Sequence, residues 1–302
     1  MTAAILAIPV LSHAQSEPSG FALQSMRIGH SPVAQGMGGA GLLSTSSIAW
    51  GSYGNIAALP FSYLKGDVQV SYNNWNPTST NYINGAFGFN LKNKVGISGG
   101  FSNGSGKEFE MFDNNGNSAG QFTPKNIQAN LGVSWRFIEW MSIGANVCIN
   151  NEKLLEDFTS KAISADVYVM GEFKGIRATA GVSKLGGKVK DASGQEFPIA
   201  TSVAAAIGYA KDFDKNRIEA EADIDYFLNS ASPISVAIGA AYTFNDMVSV
   251  RGGFHSGGVI SNFASLGLGL KFYGVRLDAA YILAGSDSPL HNTLAAGLGY
   301  CF

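Results

Sequence analysis

The last twelve residues, "HNTLAAGLGYCF", alternate with a period of two. Asn292, Leu294, Ala296, Leu298, Tyr300 and Phe302 make one face, mostly apolar and ending in aromatics. His291, Thr293, Ala295, Gly297, Gly299 and Cys301 make the other, small and polar. Successive side chains of a strand point to opposite faces, so this pattern predicts a strand between two different environments. A single such strand would suit any half-buried sheet, but the pattern recurs. In "NIQANLGVSWRF", Ile127, Ala129, Leu131, Val133, Trp135 and Phe137 oppose Gln128, Asn130, Gly132, Ser134 and Arg136. In "PIATSVAAAIGY", Ile199, Thr201, Val203, Ala205, Ile207 and Tyr209 oppose Ala200, Ser202, Ala204, Ala206 and Gly208. In "VSVRGGFH", Val248, Val250 and Phe254 oppose Ser249, Arg251, Gly253 and His255. A small or polar face repeated strand after strand is the pattern of a barrel with lipid outside and a polar lumen. Each run is about 9 to 12 residues, enough for a tilted strand to cross a bilayer.

The alternation predicts strands near 66–74, 81–90, 94–103, 126–137, 140–150, 161–172, 175–184, 198–209, 216–226, 233–244, 247–255, 262–272, 274–284 and 291–302. That is an even number, as single-chain outer-membrane barrels require. Alternate connections are short ("LKN", "IE", "FK", "ND" and "Y"), with only "AKDFDKN" longer. The intervening ones are longer, above all 103–125, 151–160 and 185–197. A soluble sandwich has no reason to sort its loops this way, whereas outer-membrane barrels put short turns on the periplasmic side. The expected fold is all-β: a transmembrane antiparallel β-barrel of about 14 strands with an N-terminal plug or hatch. Charged residues are only 14% of the chain, against roughly 25% in soluble domains, and no apolar run is long enough for a spanning helix. A formal net charge of -2 offers no basic field to nucleic acid. Trp75, Trp135 and Trp140 fall near predicted strand ends, where an interfacial belt and ordinary packing are both open readings.

Ahead of the barrel (66–302) the chain does not alternate. "MTAAILAIPVLSHAQ" has an apolar stretch followed by Ser12-His13-Ala14, which predicts a secretory signal over 1–14, although the usual basic n-region is missing. Further on, "GMGGAG" reads G-x-G-x-x-G. A dinucleotide cradle needs a buried strand before it and an acidic residue about 20 positions after it. Here "QSMRIGHSPVAQ" precedes it and the first acidic residue is Asp67, so the glycines serve close backbone approach instead. Residues 15–65 are expected to form the plug, with Gly36, Met37, Gly38, Gly39, Gly41 and Asn55 as its motif.

In "NRIEAEADIDY", Arg217, Glu219, Glu221, Asp223 and Asp225 share one face. Such charges are costly toward lipid, so they are expected to line the lumen. Small residues on the flanking strands leave room for a guest, and the ladder is expected to hold the plug through Arg27 and His30, with a cation or ligand path as the sharper alternative. His255 and His291 face inward without a nucleophile partner, and no H-E-x-x-H or Cys/His zinc pattern is present, so no catalytic, metal or cofactor site and no enzymatic activity is expected. Cys148 and Cys301 are expected to be unpaired strand residues. The 103–125 loop is expected to fold as a hairpin turning at Asn115-Gly116. Its Phe109, Met111 and Phe112 form either a contact surface or part of a simple cap.

"SPVAQGMGGAG", a small-residue stretch and "GNIAALP" together resemble the start of PorV/PorQ-type and FadL-like outer-membrane proteins, which carry a Gly-Met-Gly-Gly-Ala-type motif and then an Asn-Pro-Ala element. Asn55 matches, Ile56 stands where the proline would, and Ala57 follows. "GNSAGQFTPKNIQANLGVSW", "ISADVYVMGEFKGIRATAGVSKLGGKV" and "VRLDAAYILAGSDSPLHNTLAAGLGYCF" continue the resemblance in order along the chain. The resemblance implies a FadL-type barrel in a Bacteroidetes-like outer membrane, associated with type IX secretion. PorV-like members receive cargo bearing C-terminal sorting domains, and PorQ-like members help hold the attachment complex. The implied partners are outer-membrane lipid and type IX secretion components or cargo C-terminal domains. The alternative on the same fold is a FadL-like channel for small hydrophobic compounds. An apolar groove running from the loops to the plug would favour the channel; a lumen blocked by polar contacts, with an apolar patch on the loops, would favour a protein partner.

Overall fold

The computed structural model describes residues 21–112, 117–155, 158–191, 194–258, 260 and 262–302. Fourteen antiparallel strands form one closed barrel. They are Gly66–Trp75, Thr80–Leu91, Val95–Ser105, Lys125–Ile138, Met141–Leu155, Phe158–Phe173, Ile176–Gly186, Ser202–Phe213, Asn216–Phe227, Ile234–Phe244, Val248–Gly257, Phe263–Phe272, Val275–Leu283 and Leu294–Cys301. The first and last pair directly, from Asp67↔Cys301 to Asn74↔Leu294. Closure leaves no unpaired edge, which hydrocarbon requires because it offers no hydrogen-bond partner.

Alternation translates into two surfaces. Leu131 is 62% exposed and Leu268 61%, facing lipid, while the inward Asn130 and Ser265 are buried. Lys92–Lys94, Glu139–Trp140, Lys174–Gly175, Asp214–Lys215, Asn245–Met247 and Tyr273–Gly274 are tight turns, all at one end. Lys174 and Gly175 have φ 52° and 83°, and Tyr273 and Gly274 φ 50° and 83°, the left-handed pairs that match hairpin twist.

Several boundaries differ from the sequence reading. "AKDFDKN" is not a longer connection, because the strands run to Phe213 and from Asn216. Residues 151–160 are largely strand, with Glu152↔Ser160 and Lys153↔Thr159 in register. Their polarity mimicked a loop because they extend above the lipid-facing apolar rows. Ile199 and Thr201 lie before their strand and are buried rather than lipid-facing. The Thr201 amide donates to the Ile199 carbonyl, which breaks the extended path, and Ile199 packs with Leu23, Met26, Cys148, Ala162 and Val189. The last strand begins at Leu294. Trp135 and Trp140 are exposed at the short-turn end, suiting an interfacial belt. Trp75 instead turns inward and is buried with Ile28, Tyr82, Phe263, Ile282 and Leu290. Both cysteines are free and buried, in separate clusters.

Two small hairpins stand at the loop end: Phe109–Phe112 with Ser118–Phe122, and Val189–Lys190 with Glu196–Phe197. The Asn115-Gly116 turn and the signal at 1–14 lie outside the described residues.

The lipid-facing row fixes a first expectation. Leu131→Arg places a cation on the outer face and is expected to cost about 2–4 kcal/mol if it sits near mid-bilayer. Equilibrium unfolding in phospholipid vesicles checks this.

Candidate functional site: the filled lumen and the loop-end vestibule

Residues 21–65 thread the lumen from the loop end to the short-turn end. Near the loops, the Ala22 amide donates to the Pro198 carbonyl, and Ser25 accepts from Asn126. Helix Pro32–Gly36 begins at Ser31, whose side chain accepts from the Ala34 amide. At the other end the Lys65 amide donates to the Phe302 carbonyl. In between, the backbone pairs with itself only in short helical turns, and the wall supplies further partners. Asp67 accepts from the Ala49 amide, Ser98 from the Ser52 amide and Ser265 from the Gly38 amide. Asn146 donates to the Ser52 carbonyl, Ser142 to the Ala57 carbonyl and Asn90 to the Ser62 carbonyl.

The glycine motif lies where the inner chain touches the wall. A Cβ on Gly36 would sit 2.8 Å from the Gly267 Cα, and one on Gly38 would collide with the Phe254 backbone. Gly38 also has φ 73° and Gly39 φ 90°, a conformation that favours glycine. Met37 packs with Ala40, Ala237 and Ala241. Asn55 caps the 3-10 helix Ile56–Phe61 through the Ala57 amide at 2.9 Å. Its amide nitrogen donates to the Leu42 carbonyl and to Thr179 Oγ1, so one side chain ties two turns of the inner chain to the wall.

The charged face of strand Asn216–Phe227 points inward and divides its work. Asp223 Oδ2 accepts from the Gly41 amide at 2.9 Å and the Leu42 amide at 3.1 Å, and Glu221 from the Leu43 amide at 3.3 Å. Arg217 binds Asp212 at 2.8 Å and Glu219 at 2.9 Å, and Asp225 accepts from Ser202. The ladder therefore meets backbone amides, not His30. His30 is buried elsewhere, 4.3 Å from the Tyr53 ring, with its carbonyl accepting from Ser71. Arg27 stacks on an aromatic ring instead: its guanidinium lies 4.4 Å from the Phe227 ring centroid. Burial lowers its pKa, opposed by the charge of Asp225.

Sequence reasoning missed a second charged group near the short-turn end. Asp278 is shared by Arg251 at 2.8 Å and Arg276 at 2.5 Å, and Arg276 also donates to the Ser46 carbonyl. Arg276 and Asp278 lie on one strand and Arg251 two strands away, across Gly267 and Gly269 of the strand between them, so no single stretch displays the whole group. His255 stacks on Phe263 at 4.9 Å, and the His291 ring contacts the Ala284 carbonyl. Phe109 is 43% exposed and packs against Phe122 at 5.6 Å. Met111 is half-buried beside it, and the Phe112 backbone pairs with Ser118.

The space left in the barrel is graded. At the loop end a vestibule of about 750 Å³ is lined mainly by apolar side chains, among them Leu23, Ile28, Trp75, Phe158, Val189 and Leu290, with charged Arg27, Glu152, Lys190 and Asp191 and several hydroxyls as its polar members. Beside it an inner cavity of about 260 Å³ is lined by more polar groups, including Gln35, Ser44, Asp223 and His255. Arg27, Trp75 and Ile260 line both. At the short-turn end a cavity of about 40 Å³ lies among Arg217, Arg251, Arg276 and Asp278.

Solved structures share this architecture. The Pseudomonas putida toluene transporter TodX superposes with a TM-score of 0.58 at 12% identity, over 90% of this chain and 96% of that one. The monoaromatic hydrocarbon channel CymD gives 0.58 at 12% identity, over 93% and 98%. A Pseudomonas aeruginosa FadL homologue gives 0.47 at 12% identity, over 89% and 95%. No protein-family model matches the chain, and no curated protein sequence does. The first two likenesses show the fold: a closed barrel of the kind seen in TodX and CymD.

Two expectations follow. Asp223→Ala removes the acceptor of two amides, costing about 1–3 kcal/mol locally. Hydrogen exchange at Gly41 and Leu42 should rise roughly tenfold or more while the barrel keeps its heat-shifted mobility on gels. The second concerns acid. Burial, reinforced by the charge of Lys184, lowers the His30 pKa to about 3 from an ordinary 6.5. The released chain takes up a proton more readily, so this contribution to docking is complete above about pH 6.5 and fades as pH falls toward 3. Exchange at residues 29–31, corrected for intrinsic rate, should rise from pH 7 to pH 5, and His30→Asn should flatten that rise.

Proposed function

We propose that this barrel admits small hydrophobic compounds from the loop side, with residues 15–65 acting as its hatch and residues 1–14 as its export signal. The vestibule carries this reading. It is large enough for a small molecule, its walls are mostly apolar, and it reaches the inner chain instead of ending at the rim. The fold shared with a toluene transporter and a monoaromatic hydrocarbon channel agrees with it. Passage needs movement of the inner chain, because the short-turn end is closed by ion pairs. Release from the apolar vestibule toward polar groups places the hatch where such a compound would have to wait.

The type IX secretion reading rests on the resemblance in sequence. One surface observation favours it as a second reading: the exposed Phe109 on a hairpin at the loop end, a place where cargo could dock.

Trp75 lines the vestibule and serves as a reporter. Toluene added to the purified barrel in detergent should quench its fluorescence saturably, and the signal should vanish in Trp75→Phe. Leu290→Asp and Ile28→Asp should weaken binding at least tenfold. A linear, non-saturable response identical in all variants would overturn the channel reading, and pull-down of sorting-domain cargo lost in Phe109→Ala would favour the second.

A further inference from the structure

Three lysines sit together on the outer surface of the barrel, just above the lipid-facing row. Lys125 is directly opposite Lys153 across neighbouring strands. On the next strand Lys161 is opposite Asn151, two residues from Lys153. All three keep the parity of the exposed Ile127, Ile149 and Ile163 below them, so they follow the outward register. Two like charges facing each other across a ladder are destabilising. None of the three takes part in an ion pair among the described residues. The Lys153 ammonium lies 5.7 Å from the Phe122 ring centroid, which holds its stem in place. Exposed Ser105, opposite Lys125, and half-buried Asn151 add neutral donors.

Elsewhere at this end the outward strand positions Asn74, Asn81 and Asn103 are polar but uncharged, and Val203, Tyr226, Ile234, Leu283 and Leu294 are apolar or aromatic. The basic character is confined to one sector of the wall, on the two longest strands and their neighbour. A repelling pair gains stability when an anion sits between its members, and the patch continues the exposed apolar rows of Ile127, Ile149 and Ile163 toward the loop end. Ammonium groups and amide donors suit phosphate oxygens. We propose that Lys125, Lys153 and Lys161 form a docking surface for the phosphorylated headgroup of an outer-leaflet glycolipid. The proposal rests on short turns being periplasmic and is independent of what the vestibule takes.

Native mass spectrometry of the full barrel in detergent tests it, with diphosphoryl lipid A, its phosphate-free form and phosphatidylglycerol as probes. The wild type should retain diphosphoryl lipid A, lose it on removal of phosphate, and resist competition by phosphatidylglycerol. The triple variant Lys125→Gln, Lys153→Gln, Lys161→Gln should lower occupancy at least tenfold, while Lys92→Gln, Lys174→Gln at the opposite end should leave it unchanged. Heat-shifted mobility reports whether each variant is folded. Should the triple variant fail to fold, Lys161→Gln alone and the phosphate dependence of the wild type decide. Equal retention of the phosphate-free lipid, equal competition by phosphatidylglycerol, or unchanged occupancy in folded lysine variants would overturn the proposal.

Discussion

An irregular backbone can rest at membrane depth only where every buried amide and carbonyl finds a partner. That constraint organises this protein. The inner chain has a few short helical turns and otherwise no hydrogen-bond ladder of its own, so the wall provides acceptors and donors at matching heights. Asp67, Ser98, Glu221, Asp223 and Ser265 receive its amides, and Asn90, Ser142 and Asn146 bind its carbonyls. The inward face is polar because it replaces the water that this backbone would otherwise require. Glycines meet where even that arrangement leaves no room, as Gly36 does with Gly267.

The same logic separates the two ends. Apolar side chains left over at the loop end enclose the vestibule. At the short-turn end Arg217, Arg251 and Arg276 pair with carboxylates around a cavity of about 40 Å³. A compound entering from the loops meets an apolar chamber first, then polar groups, then ion pairs. On the proposed channel reading, movement of the inner chain, not the wall, opens the path, since the wall is held by a continuous ladder around its circumference.

The wall was legible because two-residue alternation survives wherever lipid and lumen differ. Leu131 against Asn130 is readable in the sequence and holds in space. Legibility ended at the strand ends, where neither face meets lipid. There Ile199 looked outward and is buried, and the polar 151–160 looked like a loop and is strand. The inner chain has no period, so its partners could not be read: His30 faces Tyr53 and Ser71 rather than the acidic ladder. The vestibule was equally hidden, since Leu23, Trp75, Phe158 and Leu290 come from four separate stretches. Trp75 seemed as suited to an interfacial belt as to packing, and only its parity, shared with the buried Asn73, turns it inward.

The central claim is that a small hydrophobic compound crosses the outer membrane through this barrel. The direct measurement is uptake of radiolabelled toluene by intact cells lacking the gene, with and without a plasmid copy, alongside mass spectrometry of their surface proteins. The account predicts slowed uptake on deletion, recovery with the wild-type copy, poor recovery with Leu290→Asp, and an unchanged set of surface proteins. Uptake indifferent to deletion, with proteins bearing C-terminal sorting domains lost from the surface, would contradict it.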